Sequence, residues 1–120
     1  MDALLDWLPR LGALLQLLLG VVGFFKPRVF TDQLQITMNT PAAVSEVRTV
    51  FGGLNLGAGL AALLMNQPLV YMALGVAWFF GLLARFYSML ADRTSLRDSM
   101  PGITVDAVFS LLYLSGLFLS

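Results

Sequence analysis

The chain has 120 residues and is 58% hydrophobic and 12% charged, where a soluble domain carries about 45–50% and about 25%. Seven basic residues balance seven acidic ones, so no basic surplus points to nucleic acid and no acidic run to a solvated arm. This length suits one domain, and the remaining polarity is too sparse to coat a soluble surface. The composition is that of a membrane protein.

A helical span needs about 20 mostly apolar residues to cross a hydrocarbon core of roughly 30 Å, and four segments qualify. The first, residues 4–25, stops at Lys26-Pro27. Its acidic start (Asp2, Asp6) and the lack of a small-x-small site after the apolar run argue against a cleaved signal peptide. Asp6 and Arg10 stand at i and i+4, the acid first, as suits a helix end at the interface. The linker 26–40, KPRVFTDQLQITMNT, is more apolar than a plain connection. A surface-lying segment, a short extended one and a partner contact all fit it.

The second segment, 41–65, opens with Thr40 as N-cap and Pro41 at the first helical position. The third, 68–90, follows the turn Asn66-Gln67-Pro68. The fourth, 103–119, rises only about 26 Å at 1.5 Å per residue. It either takes Pro101-Gly102 as its first turn or sits where the bilayer is thin. The predicted fold is all-α, one domain over 1–120, an integral membrane four-helix bundle.

Lys and Arg set the orientation. With four spans, one side holds Arg10 alone, and the other holds Lys26, Arg28, Arg48, Arg85, Arg93 and Arg97. Both termini are therefore predicted on the non-cytoplasmic side of a bacterial inner membrane. Trp7 and Tyr71 fall in the outer aromatic belt, and Phe24, Phe25, Phe30, Phe86 and Tyr87 near the inner one.

In lipid, helices gain no hydrophobic energy by meeting, so small residues mark their contacts. Gly53, Gly57 and Ala61 form one smooth stripe on the second helix, with Asn55, Gly59 and Ala62 on the neighbouring line. The first helix offers Gly12, Gln16, Gly20 and Gly23, and the third Ala73, Ala77 and Gly81. Packing within one chain is favoured over homodimerisation, with the second helix central between two neighbours.

Ionisable groups inside spans are costly and raise a functional hypothesis. Glu46, Arg48, Arg85 and Asp106 are predicted at similar depth near the cytoplasmic end. Asp106 shares a face with Ser110 and Tyr113, and pairs with Arg85 or Arg48. The favoured reading is pairing that fixes helix register while arginine stems snorkel to the headgroups. The functional reading is a polar pocket for a lipid phosphate or a quinone head, with Asn55 and Tyr87 or Tyr113 nearby. A proton relay is weaker, because the outer half offers little beyond Gln16.

The chain has no cysteine and no histidine, which argues against disulfides, thiol chemistry, zinc, copper and histidine- or cysteine-ligated haem. The lone lysine, Lys26, stands at a segment boundary. Ligands held by shape, such as lipid, quinone or carotenoid, remain open.

The run Glu46-Val-Arg48-Thr-Val-Phe-Gly52-Gly53-Leu-Asn-Leu-Gly57 resembles the signature of a family of small uncharacterised bacterial membrane proteins. That family is a domain of unknown function, loosely DoxX-like. Its pattern is an acid-x-Arg pair before a Gly-Gly start of the second helix, an arginine late in the third, a loop with an acid and a proline, and an acid early in the fourth. Arg85, Asp92, Pro101 and Asp106 fit those places, although the last acid is more often glutamate in the family. The resemblance implies four spans and no activity.

The favoured function is a non-catalytic structural or accessory subunit of a larger membrane complex, respiratory or photosynthetic, with other integral subunits as partners. The first alternative is a small transporter or channel. It is disfavoured because the first helix has Gln16 where a carboxylate is wanted, and because the Lys/Arg distribution is too uneven for dual insertion. A lipid- or quinone-handling enzyme built on Arg48, Arg85 and Asp106 comes last, since no nucleophile or second carboxylate stands beside them.

Overall fold

A computed structural model describes the backbone of residues 2–119 and the side chains of 7–115. Its helices are α1 (Asp2–Phe25), the short α2 (Arg28–Leu34), α3 (Pro41–Met65), α4 (Pro68–Ala91) and α5 (Leu96–Leu119). No strand occurs among the described residues. In α1 (from Trp7 onward), α3 and α4 the chain is long and apolar enough to cross a membrane. Helix α5 has 24 residues, about 36 Å at 1.5 Å per residue, but carries Arg97, Asp98 and Asp106. The side chains of Asp2 and Asp6, the acidic start, lie outside the described residues.

Local chemistry explains the boundaries. Helix α1 stops where Lys26 precedes Pro27, a position that disfavours the helical conformation. At the start of α3 the Thr40 hydroxyl accepts from the Ala43 N–H at 3.1 Å, with Pro41 at the first position. Asn66 ends α3 in the left-handed region (φ 46°), and Gln67 is extended before Pro68. Helix α5 begins at Leu96, not at Ile103, which corrects the sequence reading. The cause is Ser95, whose hydroxyl accepts from the Asp98 N–H at 3.0 Å, with Asp98 adding negative charge to the first turn. Pro101 and Gly102 thus lie inside the helix. Within the 26–40 linker, residues 28–34 choose helix, held by buried Thr31, whose hydroxyl donates to the Arg28 carbonyl at 3.3 Å.

The four long helices form an open row in the spatial order α3, α1, α5, α4. Helices α3 and α4, although joined by two residues, hardly touch, and the molecule measures 47 × 31 × 17 Å. The second predicted span is therefore at the edge, and α1 and α5 hold the centre. Tyr71, expected in an aromatic belt, is buried against Tyr113. The polarity of the molecule is inverted relative to a soluble protein. Gln16, Asp106, Ser110 and Ser115 are buried, while Leu64, Leu69 and Leu90 are more than 70% exposed. Such a surface suits hydrocarbon as solvent.

Glycines set the α1–α3 contact, but on a different line from the one expected. A Cβ on Gly20 would overlap the Leu56 backbone, and one on Gly59 would come 2.8 Å from the Ala13 carbonyl oxygen. Gly23 and Gly52 interlock in the same way one turn beyond Gly20. Gly53 and Gly57, by contrast, have nothing within 4 Å of an added Cβ, and Ala61 is exposed. The predicted Gly53–Gly57–Ala61 stripe therefore faces outward. The buried line runs through Gly52, Gly59 and Ala62, because Asn55 lies with it and must find polar partners inside. Gly12 packs on Leu112 and Tyr113, as a contact glycine should, and Gly81 faces the Asp106 carboxyl at 4.0 Å.

The partners of Asn55 lie at the middle of the row. Gln16 on α1 donates from Nε2 to Asn55 Oδ1 at 3.0 Å, and its Oε1 accepts from Tyr113 on α5 (2.5 Å) and Trp78 on α4 (3.4 Å). Asn55 Nδ2 donates to the Phe51 carbonyl at 2.9 Å, inside a π-helical segment, Arg48–Leu54. One glutamine thus joins all four long helices. Gln16→Leu is expected to cost roughly 2–4 kcal/mol, because it strands the Tyr113 hydroxyl and the Asn55 amide in an apolar interior. Adding Tyr113→Phe should recover part of the loss, since one stranded donor is then removed. Unfolding of the detergent-solubilised variants measures both.

Candidate functional site

A cleft of about 800 Å³ lies where α3 and α4 fail to meet, at the end of the row that carries the 92–95 turn. From α4 it is lined by Gly81, Ala84, Arg85 and Ser88, and from the turn and α5 by Asp92 to Ser95, Asp98 and Ser99. Phe51 of α3 and the stretch Leu34-Gln35-Ile36 after α2 supply much of its apolar wall.

Helical spacing brings these groups together. Gly81, Ala84, Arg85 and Ser88 recur at three and four residues, so they share one face of α4. Arg85 Nε donates to Asp106 Oδ2 across the α4–α5 contact. The pair is asymmetric: the Arg85 side chain is 34% exposed, toward the cleft, and that of Asp106 is 5% exposed. Beside it, Ser110 donates to the Asp106 backbone carbonyl at 2.8 Å, so the two residues stay on one face of α5.

The polar rim is tied together by short bonds. The Ser88 hydroxyl donates to Asp92 Oδ2 at 2.9 Å at the end of α4, where Arg93 turns the chain with φ 57°. Gln35 donates from Nε2 to Asp98 Oδ1 at 3.1 Å, which fastens α2 to the start of α5. Gln35 is itself left-handed (φ 58°), which ends α2 and aims the chain along the cleft. Arg85 and Arg93 stand against Asp92 and Asp98, with Asp106 behind Arg85. The cleft has no net basic excess that would select a strong anion. It combines hydroxyl, amide and guanidinium donors with an apolar wall.

The five residues expected to cluster separate into distinct places. Arg85 and Asp106 meet at the cleft. Arg48 turns away, and its Nη1 donates to the Phe24 carbonyl, one of the orphan acceptors at the end of α1. Glu46 is exposed on the first turns of α3. Asn55 belongs to the central Gln16 node, together with Tyr113, and Tyr87 is 71% exposed. Sequence reasoning put Ser88 on the line of Gly81 and Arg85 without a role, and missed Gln35, Arg93, Asp98 and Ser99 as lining residues. A signal was present: the 88–99 stretch carries Ser88, Asp92, Arg93, Thr94, Ser95, Arg97, Asp98 and Ser99 between two apolar helices.

An all-helical fold over the described residues, three helices of it long and apolar enough to cross a membrane, with a polar-rimmed cleft, has the features of a small multi-helix membrane protein. More particularly, the chain belongs to the DUF4345 family, a domain of unknown function, whose pattern matches residues 4–116. No curated protein and no solved structure matches it.

Proposed function

We propose that the protein is a non-catalytic four-span protein of the bacterial inner membrane, termini outside, that holds the head of a membrane-dissolved amphiphile. The cleft carries this reading. An opening between α3 and α4 faces lipid at its apolar wall, and its polar groups gather at one end, as a site for a headed, tailed molecule requires. Two arginines, Arg85 and Arg93, against three carboxylates, Asp92, Asp98 and Asp106, leave no basic excess for an anionic head, which favours a quinone or a zwitterionic lipid. Binding is favoured over chemistry because Asp106, the buried carboxylate at the site, is committed to Arg85.

The test is quantitation of small molecules that co-purify in mild detergent, by solvent extraction and mass spectrometry. Near-stoichiometric quinone or zwitterionic lipid is expected. Ala84→Phe, which fills the cleft from an exposed position, should remove most of it without loss of fold. Equal retention by Ala84→Phe, or no bound amphiphile above background, would overturn the assignment.

Service to a larger assembly, as an accessory subunit of a respiratory or photosynthetic complex, is a second reading. It is favoured by the outward Gly53–Gly57–Ala61 face of α3, against which another helix can pack closely. Native electrophoresis of the gently solubilised membrane separates co-migration with a host complex from a lone monomer or a homodimer.

A further inference from the structure

The end of the molecule opposite the cleft carries a second concavity, of about 380 Å³, between α1 and α3. Its lining is mostly apolar, Leu11, Leu14 and Leu63, and two polar groups stand at its mouth, Arg10 and Asn66. The guanidinium of Arg10 is held on two sides. Its carbon lies 5.2 Å from the centre of the Trp7 ring, and its Nε donates to Asn66 Oδ1 at 3.1 Å. Asn66 is fixed in turn, because the same oxygen accepts from the Tyr71 hydroxyl at 2.8 Å and the residue caps α3 in the left-handed region.

These contacts leave the guanidinium fork beside the Tyr71 hydroxyl, with no carboxylate on it among the described residues. That fork matches two oxygens of one phosphate. Beneath it, the leucines of α1 and α3 line the concavity, and Leu11 and Leu14 are each 44% exposed along it. A free phosphate has no use for such an apolar lining, and a neutral lipid has none for the arginine.

We propose that this groove is a binding site for a phosphate-headed lipid, with the phosphate on Arg10 and one chain along Leu11, Leu14 and Leu63. The site differs from the cleft in place and in chemistry. Arg10 has no ion-pair partner among the described residues, whereas Arg85 of the cleft is paired with Asp106. A lipid seated in the groove would span α1 and α3 and brace the edge of the open row.

Native mass spectrometry of the full chain, released from detergent with added lipid, tests the site. Phosphatidylglycerol and a diacylglycerol of identical chains serve as probes. The wild type is expected to retain one phosphatidylglycerol with a preference of roughly tenfold or more over the diacylglycerol, the size of a charge-assisted pair. Arg10→Gln should abolish the preference, and Arg10→Lys, which keeps the charge and loses the fork, should reduce it. The comparison is repeated in Ala84→Phe, whose filled cleft no longer takes a neutral lipid; the preference should persist there, which separates failure here from failure of the cleft assignment. Equal retention of the two lipids by the wild type, or undiminished preference in a folded Arg10→Gln, would overturn the proposal. So would saturation of the site by inorganic phosphate in the absence of lipid, which would mark a small-anion site.

Discussion

Gly20→Ala is expected to destabilise the protein by about 2 kcal/mol or more, and Gly57→Ala to leave it unchanged or to stabilise it by up to about 1 kcal/mol. The two substitutions are chemically identical and differ only in what stands beyond the new methyl group. At Gly20 the methyl would overlap the main chain of Leu56, with the Asn55 carbonyl carbon 2.8 Å away. Backbone on a neighbouring helix cannot swing aside as a flexible side chain can, so α1 and α3 must separate along their length. The separation would spread to Gly23, Gly52 and Gly59, which interleave on the same line, and would stretch the Gln16–Asn55 bond. At Gly57 nothing lies within 4 Å, and alanine is the better helix former. Thermal or denaturant unfolding of the two variants in one detergent measures the difference. If Gly57→Ala proves the more damaging of the two in the isolated chain, the packing line is wrong. If it is harmless there and weakens association in native membranes, the outward stripe meets another protein.

That contrast also marks how far the sequence could be read. The lengths of the first three spans, the Thr40-Pro41 cap, the Asn66-Gln67-Pro68 turn and the inward face of Asp106 were legible because each depends on residues a few positions apart. The choice between two adjacent glycine lines on α3 was not settled by spacing, since both repeat at helical intervals. Asn55 held the information, because a buried amide must find partners and so drags its own face inward. The π-helical segment at Arg48–Leu54 widens the turn just ahead of it, and no local residue pattern announces such a widening. The start of α5 was legible in Ser95 and Asp98, a cap signal masked by Pro101-Gly102, which reads as the first turn of a helix that begins there. The cleft was the least legible feature. It exists because α3 and α4, neighbours in sequence, are not neighbours in space, a fact of the whole row that no short stretch encodes.

The Arg85–Asp106 pair provides the second large effect, and its sign pattern is the informative part. Arg85→Met is expected to cost more than Asp106→Asn, about 3–4 kcal/mol against about 1–2. Removing the arginine leaves a carboxylate whose side chain is 5% exposed, with no counter-charge, and it must take up a proton or draw water into the row. Removing the carboxylate leaves a guanidinium already 34% exposed on a long stem that can extend toward the cleft and the headgroups. The double replacement Arg85→Met with Asp106→Leu should cost far less than the sum of the single losses, because an apolar pair of similar volume has no charge to bury. Stability and ligand content then separate the two roles open to this pair. If the double variant is stable and still retains its amphiphile, the ion pair serves to set α4 against α5, and the rim of Gln35, Ser88, Arg93 and Ser99 supplies recognition. If it is stable and purifies empty, the exposed edge of Arg85 is part of the binding site, and the depth of Asp106 is what keeps that guanidinium fixed at the floor of the cleft.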